Sequence, residues 1–337
     1  MKIAIISVSK KGYELSLSLK EKLDLDSTVI KTDSYHKNVK KYFPILFYEY
    51  DAIIAIMASG ILIRSIAPLI ESKATDPAVL NIDDNGNFVI SMLSGHLGGA
   101  NRLTQKVAGL IDATPVITTS TDVNKKLGID VLAKDLFLSI ENTNEILFFN
   151  KSILDGKEIA LTVNPNKNFD YLFKYLSDNE LEIDISVSYS SKVNTDEIIA
   201  RLEDHELILK ERKIVVGMGC KRGKECINIY NALKSSINEL NMDMSRINQL
   251  ASAEIKKDEN GMLELSDKLD IPINFVELEK LKLFESNDIQ KSEFVKSKFG
   301  IYGVCEPSAL IMAGFDSKLI YKKTSYNGVT IAVAISK

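Results

Sequence analysis

Histidine and cysteine are scarce in this chain, three of each in 337 residues. Cys220, Cys226 and Cys305 are odd in number and widely spaced, which excludes a disulfide framework. His36, His96 and His205 add too few ligands to Cys220 and Cys226 for a zinc site. The cysteines are therefore read as small apolar residues. There is no excess of basic charge: 42 Lys and Arg face 46 Asp and Glu. That argues against a nucleic-acid binder, which carries a basic face. Long apolar runs are missing too. The apolar stretch Ala52–Ile63 falls short of the roughly 20 residues needed to cross a bilayer. The apolar run after Lys2 is broken at Lys10-Lys11, too soon for a signal peptide. The expectation is a cytoplasmic protein with neither nucleic acid nor membrane as partner. Nucleotide signatures are absent or incomplete. There is no Walker-type phosphate loop and no Gly-x-Ser-x-Gly elbow. Gly217-x-Gly219 would need a third glycine where Arg222 stands.

What the chain does have is an ordinary apolar content, 45%, and a length that suits two or three domains at about 100–200 residues each. Its most legible stretch is Val89–Thr119. Phe88–Leu93 is apolar and bounded by turn residues, as a buried strand is. The glycine-rich turn Ser94-Gly-His-Leu-Gly-Gly99 follows. From Ala100, Leu103, Val107, Leu110 and Ile111 recur at helical spacing. Pro115 is read as ending that helix, with Val116–Thr119 as the next strand. Such a unit implies parallel pairing, and its loop presents amides at a helix N-terminus.

Strands are expected at Ile3–Val8, Thr28–Lys31, Asp51–Met57 and Ala78–Ile82. Helices are expected at Tyr13–Leu23, Ile61–Ala67 and Asp130–Leu136. Val39–Tyr50 is left ambiguous because Pro44 interrupts it. Asp83-Asp84-Asn85-Gly86 reads as a hairpin turn, and Asp122 falls at the carboxyl end of a strand. From Asn142 to about Arg212 the chain is more polar and shows no chemistry, with strands expected at Ile159–Val163, Ile183–Tyr189 and Glu206–Leu209. His205 there is read as a surface histidine. A second block begins at Lys213. Strands are expected at Ile214–Met218, Ile247–Ala251 and Ile273–Val276, and a hairpin at Leu319–Ile335. The helix Lys224–Leu240 is drawn with Ile227, Tyr230, Leu233 and Ile237 on one face. Glu306 stands at a helix start beside Pro307, proline's favoured first-turn position.

The fold class is thus α/β. Residues 1–140 form a doubly wound, mostly parallel sheet domain, 141–212 a small middle α/β domain, and 213–337 a C-terminal α/β domain. Ligands of such sheets collect at the carboxyl ends of strands. Arg64, Lys73, Arg102, Lys221 and Arg222 flank the loops there, which suits a bulky ligand bearing carboxylates.

The motifs themselves resemble a known family. Ile56–Ile70, Ser72–Asn101 (SKATDPAVLNIDDNGNFVISMLSGHLGGAN) and Thr114–Val123 match in the first domain. Val215–Gly223, Leu250–Gly261, Gly303–Leu310 and Gly328–Ala334 match in the last. In this combination and order the chain resembles the cobalt-precorrin 5A hydrolase family, the CbiG family of anaerobic cobalamin biosynthesis. The departures are Ser120 and Cys305, where the family often has alanine, and a middle segment that varies across the family. The last block also resembles a domain found alone in the aerobic pathway.

The resemblance implies a reaction. Water opens a δ-lactone that ties the extruded meso carbon of a cobalt corrinoid to a ring-A acetate. The resulting hydroxyethyl group then leaves as acetaldehyde, giving cobalt-precorrin 5B. That chemistry needs a base, oxyanion donors and cations for peripheral carboxylates. On this reading His96 is the base, and the loop of Ser94, Gly98 and Gly99 supplies amide donors. Arg64, Arg102, Arg222 and Lys256 hold carboxylates, and Glu306 is a second acid or base. No cofactor and no protein metal site is implied, because cobalt arrives with the substrate. The alternative is a non-catalytic corrinoid carrier of the same pathway. Oligomeric state is left open, a homo-oligomer included.

Overall fold

The computed structural model describes residues 1–73, 75–178 and 185–337. They form two compact units. The first comprises Met1–Asp26, Lys31–Asn168 and Ser177–Glu211, the second Ser27–Ile30, Phe169–Leu176 and Arg212–Lys337.

The first unit opens with a six-stranded sheet of β1 (Lys2–Ser7), β2 (Lys31–His36), β3 (Ala52–Ile56), β4 (Ala78–Ile82), β5 (Phe88–Leu93) and β6 (Thr114–Val116). The strand order is β2-β1-β3-β4-β5-β6. Every pairing is parallel except β4 with β5. β1 and β3 are apolar runs because both faces are covered. Helices α1 (Lys10–Asp24), α2 (Val39–Glu49), α3 (Ser59–Ile66) and α4 (Ala100–Ile111) provide the cover. Phe43, Leu46 and Phe47 of α2, with Leu62 and Ile66 of α3, pack on Ala4, Ile6, Ile53, Ala55 and Val79. Strand residues alternate between faces. Ile3, Ile5 and Ile54 therefore point the other way, towards the side of α1 and α4, which touch each other.

The β4–β5 hairpin, turned at Asp83–Gly86, has a consequence for function. Val79 pairs with Leu93 and Ile82 with Val89, while Ala52 pairs with Ala78. The carboxyl end of β5 therefore lies beside the amino ends of β3 and β4. The loops after β3 and after β5 are at opposite ends of the sheet, not along one edge as the reading from sequence assumed.

Two local expectations are corrected and one open reading is resolved. The strand at Thr28–Lys31 is instead β2, a polar edge strand. The apolar signal of Val29 and Ile30 belongs to the second unit, where Ile30 packs beside Val215 and Leu310. α4 does not run to Pro115: Asp112 ends it in the left-handed conformation, φ 57°. Pro115 lies inside β6, tolerated because β6 is an edge strand. Pro44 sits within α2. The hydrogen bond it forgoes is outweighed by burial of Phe43, Leu46 and Phe47, each contributing about 1.5–3 kcal/mol.

The remainder of the first unit carries α5 (Ser120–Val123), α6 (Ile129–Asp135) and α7 (Ile146–Leu154). It also carries a second sheet of β7 (Leu138–Ile140), β8 (Ile159–Val163), β9 (Ile185–Tyr189), β10 (Glu197–Leu202) and β11 (His205–Glu211), ordered β7-β11-β10-β8-β9. Only β8 and β9 are parallel; the other pairings are antiparallel. The expected start of β9 at Ile183 lies outside the described residues. β10 was not anticipated.

In the second unit, β12 (Ile214–Cys220), β13 (Gln249–Ala253), β14 (Ile273–Val276), β15 (Lys318–Tyr326) and β16 (Val329–Ile335) are ordered β14-β13-β12-β16-β15. Its helices are α8 (Asp170–Asp178), of which the part to Leu176 belongs to this unit, α9 (Cys226–Glu239), α10 (Asn260–Leu269), α11 (Leu278–Leu283), α12 (Glu293–Phe299) and α13 (Cys305–Ala313). α13 lies so close to β12 that a Cβ on Gly217 would stand 1.9 Å from the Cys305 carbonyl oxygen. The β15–β16 turn places Asn327 and Gly328 at φ 49° and 87°, the two left-handed residues of a type I′ turn. Among the described residues no helix is long and apolar enough to cross a membrane.

Candidate active site

β5 and β6 are parallel, so the loops that follow them emerge at the same end. After β5, Ser94 takes φ 56° and Gly99 φ 89°. The loop folds back on itself, with Ala100 N–H donating to the Ser94 carbonyl (3.1 Å) and Asn101 N–H to Gly95 (3.0 Å). The amides of Gly98 and Gly99 stand outside those bonds. A Cβ on Gly98 would be 2.4 Å from Ser94 Cβ; only glycine allows this path. The Ser94 hydroxyl is buried and has no hydrogen-bond partner among the described residues. Lys134 of α6 donates to the Leu97 carbonyl (3.0 Å) and pins the loop from the other side.

This path carries His96 into a nest of acids. Its Nδ1 lies 3.1 Å from both oxygens of Asp130, at the start of α6. Its Nε2 lies 2.9 Å from Asp122 Oδ2 and 3.0 Å from Thr121 Oγ1, both on α5. Asn101 donates to the same Asp122 oxygen (3.0 Å) and to Thr119 Oγ1 (2.9 Å), and accepts from Ser91 Oγ at 2.7 Å. Asn150 of α7 donates to Asp130 Oδ1 at 2.9 Å. The His96 side chain is 10% exposed and Asp130 5%, whereas Asp122 is 34% exposed. Burial opposes charge on the ring, but hydrogen bonds and charges from Asp122 and Asp130 outweigh it and raise the His96 pKa to about 9. Burial likewise opposes charge on Asp130, and His96 with Asn150 reverses this, holding its carboxyl below the usual range.

His96 at neutral pH is therefore an imidazolium with both N–H groups engaged. The role of free base, expected from sequence, does not fit that state.

The other expected residues are scattered. Arg64 Nη1 donates to the Gly60 carbonyl (2.9 Å) at the start of α3, near the carboxyl end of β3 and so away from His96. Arg102 pairs with Asp135 on the exposed side of α4. Three belong to the second unit. Arg222 pairs with Asp258 (2.8 Å), and Lys256 with buried Glu259 (3.0 Å), in the loops after β12 and β13. Glu306 does not face a cleft. It is 1% exposed, and its two oxygens accept the backbone N–H groups of Gln290 (2.7 Å) and Lys323 (2.9 Å). Burial raises its pKa, only partly offset by those bonds. His205 stacks on Phe148, centroids 3.7 Å apart, and bonds Glu145.

Asp130, Asn101, Thr121 and Asn150 escaped the sequence reading. Asp122 had a visible signal in its place after a strand. Asp130 and Asn150 had none, because they meet His96 only through the packing of α6 and α7. Among the described residues no group of His, Cys, Asp or Glu is arranged to hold a metal ion.

Known proteins match over the whole chain. Residues 41–122 fit the family model described as cobalamin synthesis G N-terminal, and 214–334 the cobalamin synthesis G C-terminus. A cobalt-precorrin-5A hydrolase from Priestia megaterium is 31% identical over 98% of this chain and 94% of its own. A protein named probable cobalt-precorrin-5A hydrolase from Methanocaldococcus jannaschii is 34% identical over 99% of both chains. The crystal structure of a cobalamin biosynthesis protein G homologue from Sulfolobus solfataricus covers 100% of this chain and 97% of that one, with a TM-score of 0.63 and 26% identity.

Proposed function

The chain belongs to the cobalamin synthesis G family, and from that premise we propose how it works as a cobalt-precorrin-5A hydrolase. Its substrate is the contracted cobalt corrinoid with a ring-A δ-lactone, and its products are cobalt-precorrin 5B and acetaldehyde. Water adds to the lactone carbonyl, the ester C–O bond breaks, and ring A regains a free acetate. The hydroxyl of the hydroxyethyl group then loses its proton. The carbon–carbon bond to the macrocycle breaks, its electron pair enters the conjugated ring, and a proton returns to the ring carbon. One water is consumed and one acetaldehyde leaves.

Both steps need a proton taken and a proton given. The observation that carries our assignment is the His96 ring clamped between Asp122 and Asp130. We assign Asp122 as acceptor, because it is the more exposed carboxylate, and His96 as donor to the departing lactone oxygen and then to the macrocycle. The amides around Gly98 and Gly99 are oxyanion donors in this reading. Arg102 is the cation nearest in sequence for a substrate carboxylate. The reaction asks for no cofactor held by the protein, since cobalt belongs to the substrate, and we place it in the cytoplasm.

Acetaldehyde release by the purified protein tests the function, and its absence would leave the carrier reading. His96→Gln should slow release roughly a hundredfold, the scale of a lost acid–base group. Build-up of the ring-opened hydroxyethyl species in that variant, seen by mass spectrometry, would place His96 at carbon–carbon cleavage. Intact lactone would place it at ring opening. Wild-type release would remove it from the chemistry.

A further inference from the structure

Asp130 and Asn150 lie in the stretch between the two segments that match the family models, 41–122 and 214–334. The geometry around them is that of a built site. A carboxylate this buried must be fully partnered. Asp130 receives the His96 Nδ1–H between its two oxygens and the Asn150 Nδ2–H on Oδ1. The Asn150 amide can face only one way. Its Oδ1 accepts the Ile129 N–H at 2.8 Å, so its NH2 must point at Asp130. The turn is shaped around the pair: a Cβ on Gly128 would sit 2.7 Å from Asp130 Oδ1 and 3.2 Å from Asn150 Oδ1.

Two contacts on one nitrogen fix the plane of the imidazole and aim the other nitrogen, here at Asp122 and Thr121. The charged groups that face the ring or its loop are Asp122 from α5 and Asp130 from α6, with Lys134 of α6 on the Leu97 carbonyl.

We propose that Asp130, locked in place by Asn150 of α7, is a positioning residue for His96. It orients the ring and supplies its counter-charge, so that α6 and α7 complete the site begun by β5, α4 and β6. This rests on the reading of His96 as a proton donor.

The test uses the full chain. With only three histidines, the Cε1–H signals of His36, His96 and His205 can be followed by NMR across a pH titration. Asp130→Asn keeps the shape and removes the charge. The His96 titration should fall from about 9 to about 8 or lower, the effect of losing one adjacent carboxylate charge. The alkaline limb of the turnover profile should move with it, and turnover at pH 8 should drop at least about twofold, more if the ring also loses its orientation. Asn150→Ala should lose less. The double variant should be no slower than Asp130→Asn alone, because Asn150 acts through Asp130. If Asp130→Asn does not fold, Asn150→Ala alone must still slow turnover and alter the His96 signal. An unmoved His96 titration in folded Asp130→Asn, or additive losses in the double variant, would overturn the proposal. Wild-type turnover in His96→Gln overturns the reaction assignment instead and leaves the NMR reading standing.

Discussion

His96 and Glu306 are both buried titratable groups near helix starts, and the sequence offered them as equals. Their partners separate them. His96 meets two carboxylates, one of them a third exposed. Glu306 meets two backbone N–H groups from segments far along the chain and no open space. That arrangement ties the Gln290 loop and β15 to α13. Glu306→Gln retains one carbonyl acceptor but turns an NH2 towards the second backbone donor. We expect a loss of about 1–3 kcal/mol, the scale of an unmet buried hydrogen bond, by denaturant unfolding. Turnover per folded molecule should stay within a few-fold of wild type. A stable Glu306→Gln protein with turnover abolished would return Glu306 to the chemistry.

At the scale of elements, legibility followed burial. β3, β4 and β12 lie where apolar runs between turn residues placed them, because a strand covered on both faces leaves little choice of composition. β2 and β10 were misplaced or missed: one is a polar edge, the other mixes Glu197 and Arg201 with inward Ile198 and Ala200. α9 was found, but its buried face is Ile229, Leu233 and Ile237, with Ile227 half exposed. A helix's period is visible in sequence, whereas its facing depends on what packs against it. The site divides the same way. The loop Ser94–Gly99 could be read from its glycines; of the partners of His96, Asp122 carried a signal and Asp130 and Thr121 did not. The loop also yields a paired prediction. In Gly98→Ala the new methyl would lie 2.4 Å from Ser94 Cβ and 2.7 Å from its carbonyl oxygen. The loop must shift, at about 1–3 kcal/mol, and turnover should fall at least about tenfold as His96 leaves its partners. Gly109→Ala on α4 is the control. Nothing lies within 4 Å of its Cβ position, so the helix should gain about 0.5–1 kcal/mol with turnover unchanged. Wild-type turnover in Gly98→Ala would show that the loop's path is not what positions His96.

At the scale of the whole molecule, the order of the chain and the order of its compact parts differ. Phe169–Leu176 sits, by sequence, in the middle segment, between β8 and β9 of the first unit, yet it belongs to the second unit. Phe169, Tyr171 and Leu172 are all buried. Tyr171 explains why. Arg246 is 2% exposed and donates to the Arg212 carbonyl (2.7 Å) and Asn248 Oδ1 (3.2 Å). A buried guanidinium is stabilised only where partners offset its lost hydration. The Tyr171 ring, whose centroid lies 5.5 Å from the guanidinium carbon, supplies a cation–π contact. Removing the ring should therefore cost both packing and the cover of a charge. Tyr171→Ala should destabilise the chain by about 3–5 kcal/mol, the scale of deleting a buried aromatic side chain. The loss should appear as faster amide exchange in β12, β13 and β16, not in β8 and β9, the strands nearest to Tyr171 in sequence. Tyr171→Phe keeps the ring face and should retain most of the stability. Faster exchange confined to β8–β11 in Tyr171→Ala would show that this segment stabilises the middle sheet, and that the second unit stands without it.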